Sequence, residues 1–462
     1  MRTDRMSVRF VSRLFRMISK YLLITMMFFP SAVCAGIPFI HGNLKVDDSR
    51  RYLEYDDGTP FLYMGDTAWE MLSRLTYEEA CVYMDNRVGK GINVIQTVLL
   101  SELVGVRDTT AVGVPQLIDG DVLRPNPRYL AHVDSVIAYA EHIGLYLAIL
   151  PTWGDKVDKQ WGIGPEVFDE HNAETYGKLL GNRWASCPNI IWVIGGDRGG
   201  DGKNRAIWNA MARGIKSVDK IHLMTYHPHG EHSSSMWFHN EKWLDFNMIQ
   251  TGHCQNRYDI YRRMMLNDMS LRPVKPVMDG EPRYEDIPRN FKLEDGRFAA
   301  IDVRRTLYQS MLTGACGYTY GNNNLWQMYA PGRESKCGAQ TYWYNAMDME
   351  AECQLIHFVR LWNEIPFSGG YNVPDCAVPV DDYNTDEAVA FITGDYLLCY
   401  FPGGSRWKLT IPDTFGLRYT IEWMNPRTGQ RMDRGISEGY AFDVCLPEHG
   451  NDDWLLILKK EK

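Results

Sequence analysis

The sequence predicts an α/β fold, a (β/α)8 TIM barrel that carries a small C-terminal antiparallel β-sandwich. Three observations predict it. Eight short apolar runs, each bounded by Gly, Pro or polar residues, recur between Pro60 and Gly321. Segments of helical periodicity separate most of them, and strands alternating with helices build a parallel sheet. From about Asn363 the helical patterns stop, and stretches alternating apolar and polar residues take over, with turn signals between them.

In chain order, the first element is a leader. Arg2, Arg5, Arg9, Arg13, Arg16 and Lys20 precede the apolar run "YLLITMMFF", and the small residues of "PSAVCAG" follow. This is the tripartite form of a secretory signal peptide with cleavage after Ala35, and its apolar run is too short for a permanent span. The leader is therefore placed at residues 1–35 and the mature chain is expected to be exported, periplasmic or secreted, with no stable membrane span.

The barrel is placed at residues 36–365. Its strands are expected in "PFLYMGDTAW", "GINVIQTVLL", "GLYLAILPTWGD", "NIIWVIGGD", "HLMTYHP", "DFNMIQTGH", "PVMDGEP" and "GACGYTYGNN". Helices are expected between them. "TYEEACVYMDNRVGK" opens with Thr76 and has Glu79 three residues on, a capping box. "YLAHVDSVIAYAEHI", "AETYGKLLGNRWA", "RAIWNAMARGIK" and "AAIDVRRTLYQSML" space their apolar residues for one helical face. Eight such units over about 250 residues fit a closed barrel. A doubly wound open sheet is disfavoured, because no G-x-G-x-x-G follows an early strand. The sandwich is placed at residues 366–462. No low-complexity linker precedes it, so it is expected to pack on the barrel. Trp407, Trp423 and Trp454 lie in alternating patterns that point them at a core or at the barrel, which favours a structural role over an exposed binding row.

The chain has 462 residues and a formal net charge of −9, which argues against nucleic acid and against a polybasic membrane contact. Aromatic residues make up 12%, with 14 Trp and 26 Tyr, enough both for a large core and for flat platforms in a cleft. Nine cysteines beyond Cys34 show no CxxC pair and no regular spacing, so neither a zinc module nor a dense disulfide scaffold is expected.

Active sites of this fold lie at the C-terminal ends of the strands. The polar residues there are Asp66 and Trp69 after the first strand, and Gln96 and Glu102 at and after the second. Trp153 and Asp155 follow the third, and Asp197 and Arg198 the fourth. Tyr226 and His227 close the fifth, His253 the sixth, Glu281 the seventh and Tyr320 the eighth. Asp197 and Glu281 face each other across the mouth in this arrangement. Two such carboxylates suit glycoside hydrolysis, one protonating the leaving oxygen and the other attacking the anomeric carbon, about 5 Å apart in retaining enzymes. Placed close together, the first to ionise raises the pKa of the other. Arg198 and neighbouring tyrosines are expected to keep the nucleophile anionic. Rival carboxylates are Asp66, Glu102, Asp155 and Asp279, the last sharing a strand face with Glu281 by alternation. His227, His229 and His232 in "TYHPHGEH" suggest a metal cluster. Metal-dependent barrel hydrolases, however, place an H-x-H on the first strand, which here ends "GDTAW". No metal and no cofactor are expected.

The runs "GDTAWEMLSRLTYEEA", "KGINVIQTVL", "LPTWGDK", "NIIWVIGGDR", "LMTYHPHGEHSSSMWFH", "DFNMIQTGH" and "KPVMDGEPRYEDIP" resemble the apiosidase-like glycoside hydrolases of family 140. The tail, with "EWMNPRTGQ", resembles the small β-sandwich that accompanies them, a domain named by analogy as collagen-binding. The resemblance spans essentially the whole mature chain. It implies a retaining apiosidase that acts on apiose-containing side chains of plant pectin, rhamnogalacturonan II, with a plant cell-wall oligosaccharide as partner. It also implies that Asp197 is the acid/base and Glu281 the nucleophile. Another retaining furanosidase or endo-glycanase on the same fold stays open as an alternative, and a metal-dependent hydrolase as a weaker one. The wider clan of retaining barrels carries a Glu after Asn at the fourth strand. Here an Asp follows Gly-Gly, and its shorter side chain demands a closer backbone, which glycine permits.

Overall fold

The structure is a computed structural model and describes residues 38–254, 259–380, 387–450 and 452–461. The leader expected at residues 1–35 lies outside the described residues. A single 3-10 turn, Pro38–His41, precedes a three-stranded antiparallel sheet of Leu44–Val46, Leu53–Tyr55 and Pro60–Phe61.

All eight expected barrel strands form. They are β1 (Tyr63–Thr67), β2 (Val94–Val98), β3 (Tyr146–Leu150), β4 (Ile190–Gly195), β5 (Met224–His227), β6 (Asn247–Gln250), β7 (Val277–Asp279) and β8 (Gly317–Tyr320). Parallel ladders join β8 to β1 and run from β1 through β5, and again from β6 through β8. Every residue of these strands is buried, as expected for a parallel sheet covered on both faces. Between β5 and β6 side chains take over from the ladder. Thr225 Oγ1 donates to the Phe246 carbonyl at 2.7 Å, and the Met224 N–H donates to Asp245 Oδ2 at 2.7 Å. A ninth, two-residue strand, His232–Ser233, pairs antiparallel with β6 at this seam.

The main helices on the outside are α1 (Tyr77–Gly89), α2 (Pro127–His142), α3 (Glu170–Trp184), α4 (Gly202–Val218), α5 (Asp259–Ser270), α6 (Ala300–Thr313) and α7 (Glu350–Glu364). The Thr76 capping box forms, with the Glu79 N–H donating to Thr76 Oγ1 at 3.3 Å and the Thr76 N–H to Glu79 Oε2 at 3.0 Å.

Nine further strands follow: β9 (Tyr371–Val373), β10 (Ala377–Pro379), β11 (Val389–Thr393), β12 (Tyr396–Phe401), β13 (Gly404–Thr410), β14 (Arg418–Met424), β15 (Arg431–Glu438), β16 (Ala441–Gly450) and β17 (Trp454–Lys460). They make a six-stranded antiparallel sheet, β9-β11-β12-β17-β14-β15, and a three-stranded one, β10-β13-β16. Trp407, Trp423 and Trp454 are all buried in the core between the sheets, with Phe401 and Leu456. The opposite face of the larger sheet joins the barrel core through Val389, Phe391, Leu398, Tyr400, Leu455 and Ile457. Helix α6 is buried on nearly its whole circumference, because it lies between barrel and sheet. Its Tyr308 stacks on Tyr400 with centroids 4.9 Å apart. Its Arg304 forms a two-pronged pair with Asp453, Nε to Oδ2 at 3.1 Å and Nη2 to Oδ1 at 2.7 Å. The nine described cysteines form no disulfide.

Candidate active site

A cavity of about 730 Å³ opens at the C-terminal ends of the strands. Asp197, Glu281, Glu102, Trp69, Trp153 and His253 line it, joined by Trp161, Tyr284, Phe291, Trp326, Glu334 and Lys336. The mixture of flat apolar walls and a few convergent carboxylates is the usual make-up of a small-molecule site.

The backbone at the end of β4 explains how a short acid reaches this cavity. Gly195, Gly196 and Asp197 have φ values of +97°, +126° and +59°, three left-handed residues in succession. A side chain at Gly196 would press against the backbone of Gly154 and Trp153, its Cβ 2.8 Å from the Gly154 nitrogen. Only glycine fits there, while Asp is among the side chains that tolerate the left-handed region at the next position. The turn aims the Asp197 N–H at His227 Nδ1, 3.2 Å away. That nitrogen accepts, so the ring proton is on Nε2, which lies 2.8 Å from Glu281 Oε2. His253 Nε2 approaches the other oxygen, Oε1, at 3.1 Å. One imidazole thus links the backbone of Asp197 to the Glu281 carboxylate, and two imidazoles clamp Glu281.

The electrostatics of the two acids diverge. Burial raises the Glu281 pKa, but the hydrogen bonds of His227 and His253 overcome it and hold the carboxyl at about 2. Asp197 is pushed up to about 6, first by burial and then by the Glu281 charge, against the opposing pull of His227, Arg198 and Trp161. Near neutral pH the Glu281 carboxylate is anionic and Asp197 carries a proton for part of the time. A third carboxyl, Glu102, is pushed up to about 8 by burial and then by Asp197, Glu70 and Asp155.

Aromatic rings build the wall behind the pair. Trp69 and Trp153 lie 5.2 Å apart, and His227 packs edge-on against Trp69 at 5.2 Å. Trp69 Nε1 donates to the Tyr284 hydroxyl at 3.2 Å, and the Tyr284 ring lies 4.3 Å from His253.

Six residues expected at the mouth are placed elsewhere. Asp66 points outward to α1, where it accepts from Tyr83 Oη at 2.6 Å and Arg87 Nη1 at 3.0 Å. Tyr226 also points outward, its ring 4.5 Å from Phe238 and its hydroxyl on the Arg198 carbonyl at 2.8 Å. Tyr320 donates to Glu285 Oε2 at 2.6 Å in a buried cluster beside the site. The physical reason is parity. Successive strand residues alternate between the inside of the barrel and the helix layer, and these three fall on the outer count. Gln96 is on the inner count but beneath the cavity floor, where Nε2 donates to the Gly280 carbonyl at 2.8 Å, next to Glu281. Asp155 is buried against Lys156 Nζ at 2.7 Å and accepts from the Gly164 N–H at 2.6 Å, so it anchors the loop that carries Trp161. Arg198 donates to the carbonyls of Asp158, Asp197 and Trp161 at 2.7, 2.8 and 2.6 Å. The expectation that Arg198 holds the nucleophile anionic is corrected: His227 and His253 occupy that place.

Of the rival carboxylates, only Glu102 lines the cavity. Asp279 accepts from Thr251 Oγ1 at 2.8 Å, because β7 ends at Asp279 and the alternation that would have aligned it with Glu281 ends there too. The histidine cluster separates. His227 turns to Glu281, while His229 and His232 pack on each other at 3.7 Å and His232 stacks on Trp237. Among the described residues no group of three or more His, Cys, Asp or Glu is placed to hold a metal ion. The sequence reading missed Trp161, Tyr284, Phe291 and Trp326. Trp161 had a usable signal, a large aromatic set in a glycine-rich loop, "QWGIG".

Residues 47–368 match the family model "Apiosidase-like, catalytic domain", and residues 373–459 match "Putative collagen-binding domain of a collagenase". No curated protein matches. A solved glycoside hydrolase is 32% identical with a TM-score of 0.84, over 92% of this chain and 98% of its own. A glycoside hydrolase family 5 structure from Bacteroides vulgatus is 31% identical with a TM-score of 0.84, over 92% of this chain and 95% of its own. A family 5 mannosidase from Rhizomucor miehei, at 12% identity and a TM-score of 0.50 over 70% of this chain and 97% of its own, shares the barrel fold. The chain is a glycoside hydrolase and belongs to the apiosidase-like family.

Proposed function

We propose that the protein is a retaining apiosidase of family 140, exported from the cell, that removes apiose from side chains of rhamnogalacturonan II. Glu281 attacks the anomeric carbon while Asp197 gives its proton to the departing glycosidic oxygen, leaving a glycosyl ester on Glu281. Asp197, now anionic, takes a proton from water, and that water displaces Glu281 from the sugar.

The observation that carries the reading is the clamp on Glu281, with His227 Nε2 2.8 Å from Oε2 and His253 Nε2 3.1 Å from Oε1, beside a buried Asp197 whose acidity burial and the Glu281 charge move the other way. An inverting enzyme needs the second carboxylate as a general base, and a group held at about 2 is a poor base for water near neutral pH. The same group is a good leaving group from a glycosyl ester. Asp197, near 6, can both give and take a proton in that range. The sugar assignment is supported by the motif resemblance and the family match, and the export assignment by the leader sequence.

The test is to incubate the mature chain with oligosaccharides from rhamnogalacturonan II and follow the first-formed sugar by proton NMR. Apiose released with retained anomeric configuration is expected, with and without EDTA. An inverted first product, or no release of apiose, overturns the reading.

A further inference from the structure

Trp161 is unusual among the tryptophans of this chain. It is 45% exposed and yet lines the cavity beside Asp197. Its indole Nε1 donates to Asp197 Oδ2 at 2.8 Å. With Oδ2 accepting, the transferable proton of Asp197 is left to Oδ1. Its ring is backed by the buried Arg198 guanidinium, centred 4.1 Å from the ring centroid, and Arg198 also holds the Trp161 carbonyl. Three residues on, the Gly164 N–H ties the loop to the buried Asp155. A large exposed ring would ordinarily be mobile. This one is fixed through its edge, its backbone and one face.

A general acid sits beside the bond it protonates, so whatever adjoins Asp197 adjoins the leaving group. The geometry points to Trp161 as the platform for the leaving-group sugar and, through its indole N–H, as a positioning residue for Asp197. This rests on the reading of Asp197 as the acid. Sugars present one face of C–H bonds to a flat ring, and the cation behind the indole leaves the ring rigid for that contact. Ile163, 46% exposed on the same loop, extends the apolar surface along the cavity.

The two roles separate by substitution. Trp161→Phe keeps a flat ring and removes the N–H; Trp161→Ala removes both. The groups that act on Asp197 besides Trp161 are Glu281, His227 and Arg198, with Glu102 nearby, and neither substitution removes any of them. The indole N–H favours the Asp197 carboxylate, so its loss moves the Asp197 pKa further up. Trp161→Phe is expected to displace the alkaline limb of kcat/KM to higher pH. It should also lower kcat roughly tenfold when the leaving group is a sugar hydroxyl. The loss should be smaller for a 4-nitrophenyl glycoside, whose leaving group departs without a proton. Trp161→Ala is expected in addition to raise KM for the oligosaccharide by about tenfold or more.

A substrate-free measurement keeps this apart from the proposed function. Carboxyl-carbon NMR titration of Asp197 in wild type and in Trp161→Phe reads the hydrogen bond directly, and an unmoved titration overturns the positioning role. Calorimetric binding of a pectin oligosaccharide to Glu281→Gln, with and without Trp161→Ala, reads the platform, and equal affinities overturn it. If Asp197 and Glu281 variants are inactive while the Trp161 variants match wild type in every readout, the Trp161 proposal fails and the acid assignment stands.

Discussion

Replacing either catalytic carboxyl by its amide abolishes turnover in the proposed mechanism, yet the two replacements are expected to move stability in opposite directions. Asp197 has an ordinary value of 3.8 and is held at about 6 in the fold. A group whose folded pKa is raised stabilises the fold below its unfolded pKa, and that contribution is lost as pH rises through the folded value. The gap, at about 1.4 kcal/mol per pH unit, is about 3 kcal/mol. Part of the Asp197 side chain faces solvent, and part of the rise belongs to Glu281, so about 1–2 kcal/mol is the gain expected for Asp197→Asn at pH 7. Glu281 is held at about 2 against an ordinary 4.5. Its stabilisation is fully present above the unfolded value and is lost as pH falls through about 2. Glu281→Gln is therefore expected to cost about 2–3 kcal/mol at pH 7. Urea denaturation at pH 7 and at pH 4 reads both. The gain from Asp197→Asn should shrink at pH 4, where the wild-type acid is already protonated. The reasoning is refuted if Asp197→Asn destabilises at pH 7, or if its gain is the same at both pH values. Turnover should fall by several orders of magnitude in each variant, and near-wild-type kcat in either one removes that residue from the mechanism.

Gly321 packs on the ring of Tyr284, and a Cβ there would sit 1.9 Å from Tyr284 Cδ1. Gly321→Ala is expected to push Tyr284 into the cavity and lower kcat/KM by at least about tenfold; unchanged kinetics would show that the ring moves freely. At the barrel–sandwich interface, Asp453→Ala leaves Arg304 buried without its carboxylate and is expected to cost about 3–5 kcal/mol in denaturant titration. Removal of residues 366–462 uncovers Tyr308 and the rest of α6, so an insoluble or strongly destabilised barrel is expected. A truncated barrel that is soluble, folded and fully active would overturn that account of the interface.

The strand count was legible because each barrel strand is a short apolar run closed by a glycine or a polar residue, and burial on both faces requires nothing more specific. Asp197 and Glu281 were legible for a related reason: each lies just past the end of its strand, where the chain has left the sheet and can turn toward the axis. Asp66, Tyr226 and Tyr320 sit within the last pleat, where orientation depends on parity. A run with apolar residues on both faces does not display its parity, so inside and outside could not be told apart. Phe291, Trp326 and the other loop residues at the cavity were hidden differently. Loops between 280 and 340 follow no period, and only the folded chain brings them beside β1 and β4.

The histidines expose a subtler limit. In the sequence, His227 belongs with His229 and His232, and three histidines within six residues invite a metal reading. His227 falls on the inner count of β5 and turns to Glu281, while His229, in the following loop, and His232, in the short strand beside β6, pack on Trp237. What gives His227 its role is the left-handed turn at Gly195, Gly196 and Asp197 on the neighbouring strand. A Glu in place of Asp197 would reach the cavity from an ordinary extended strand end, and its backbone N–H would have no cause to face His227. The shorter acid requires the backbone itself to turn inward, and that turn delivers an N–H to Nδ1. The ring proton is thereby left on Nε2, 2.8 Å from Glu281 Oε2. The glycines that admit the acid therefore also fix the imidazole tautomer that keeps the nucleophile charged, and the acidities of the two carboxyls cannot be tuned independently.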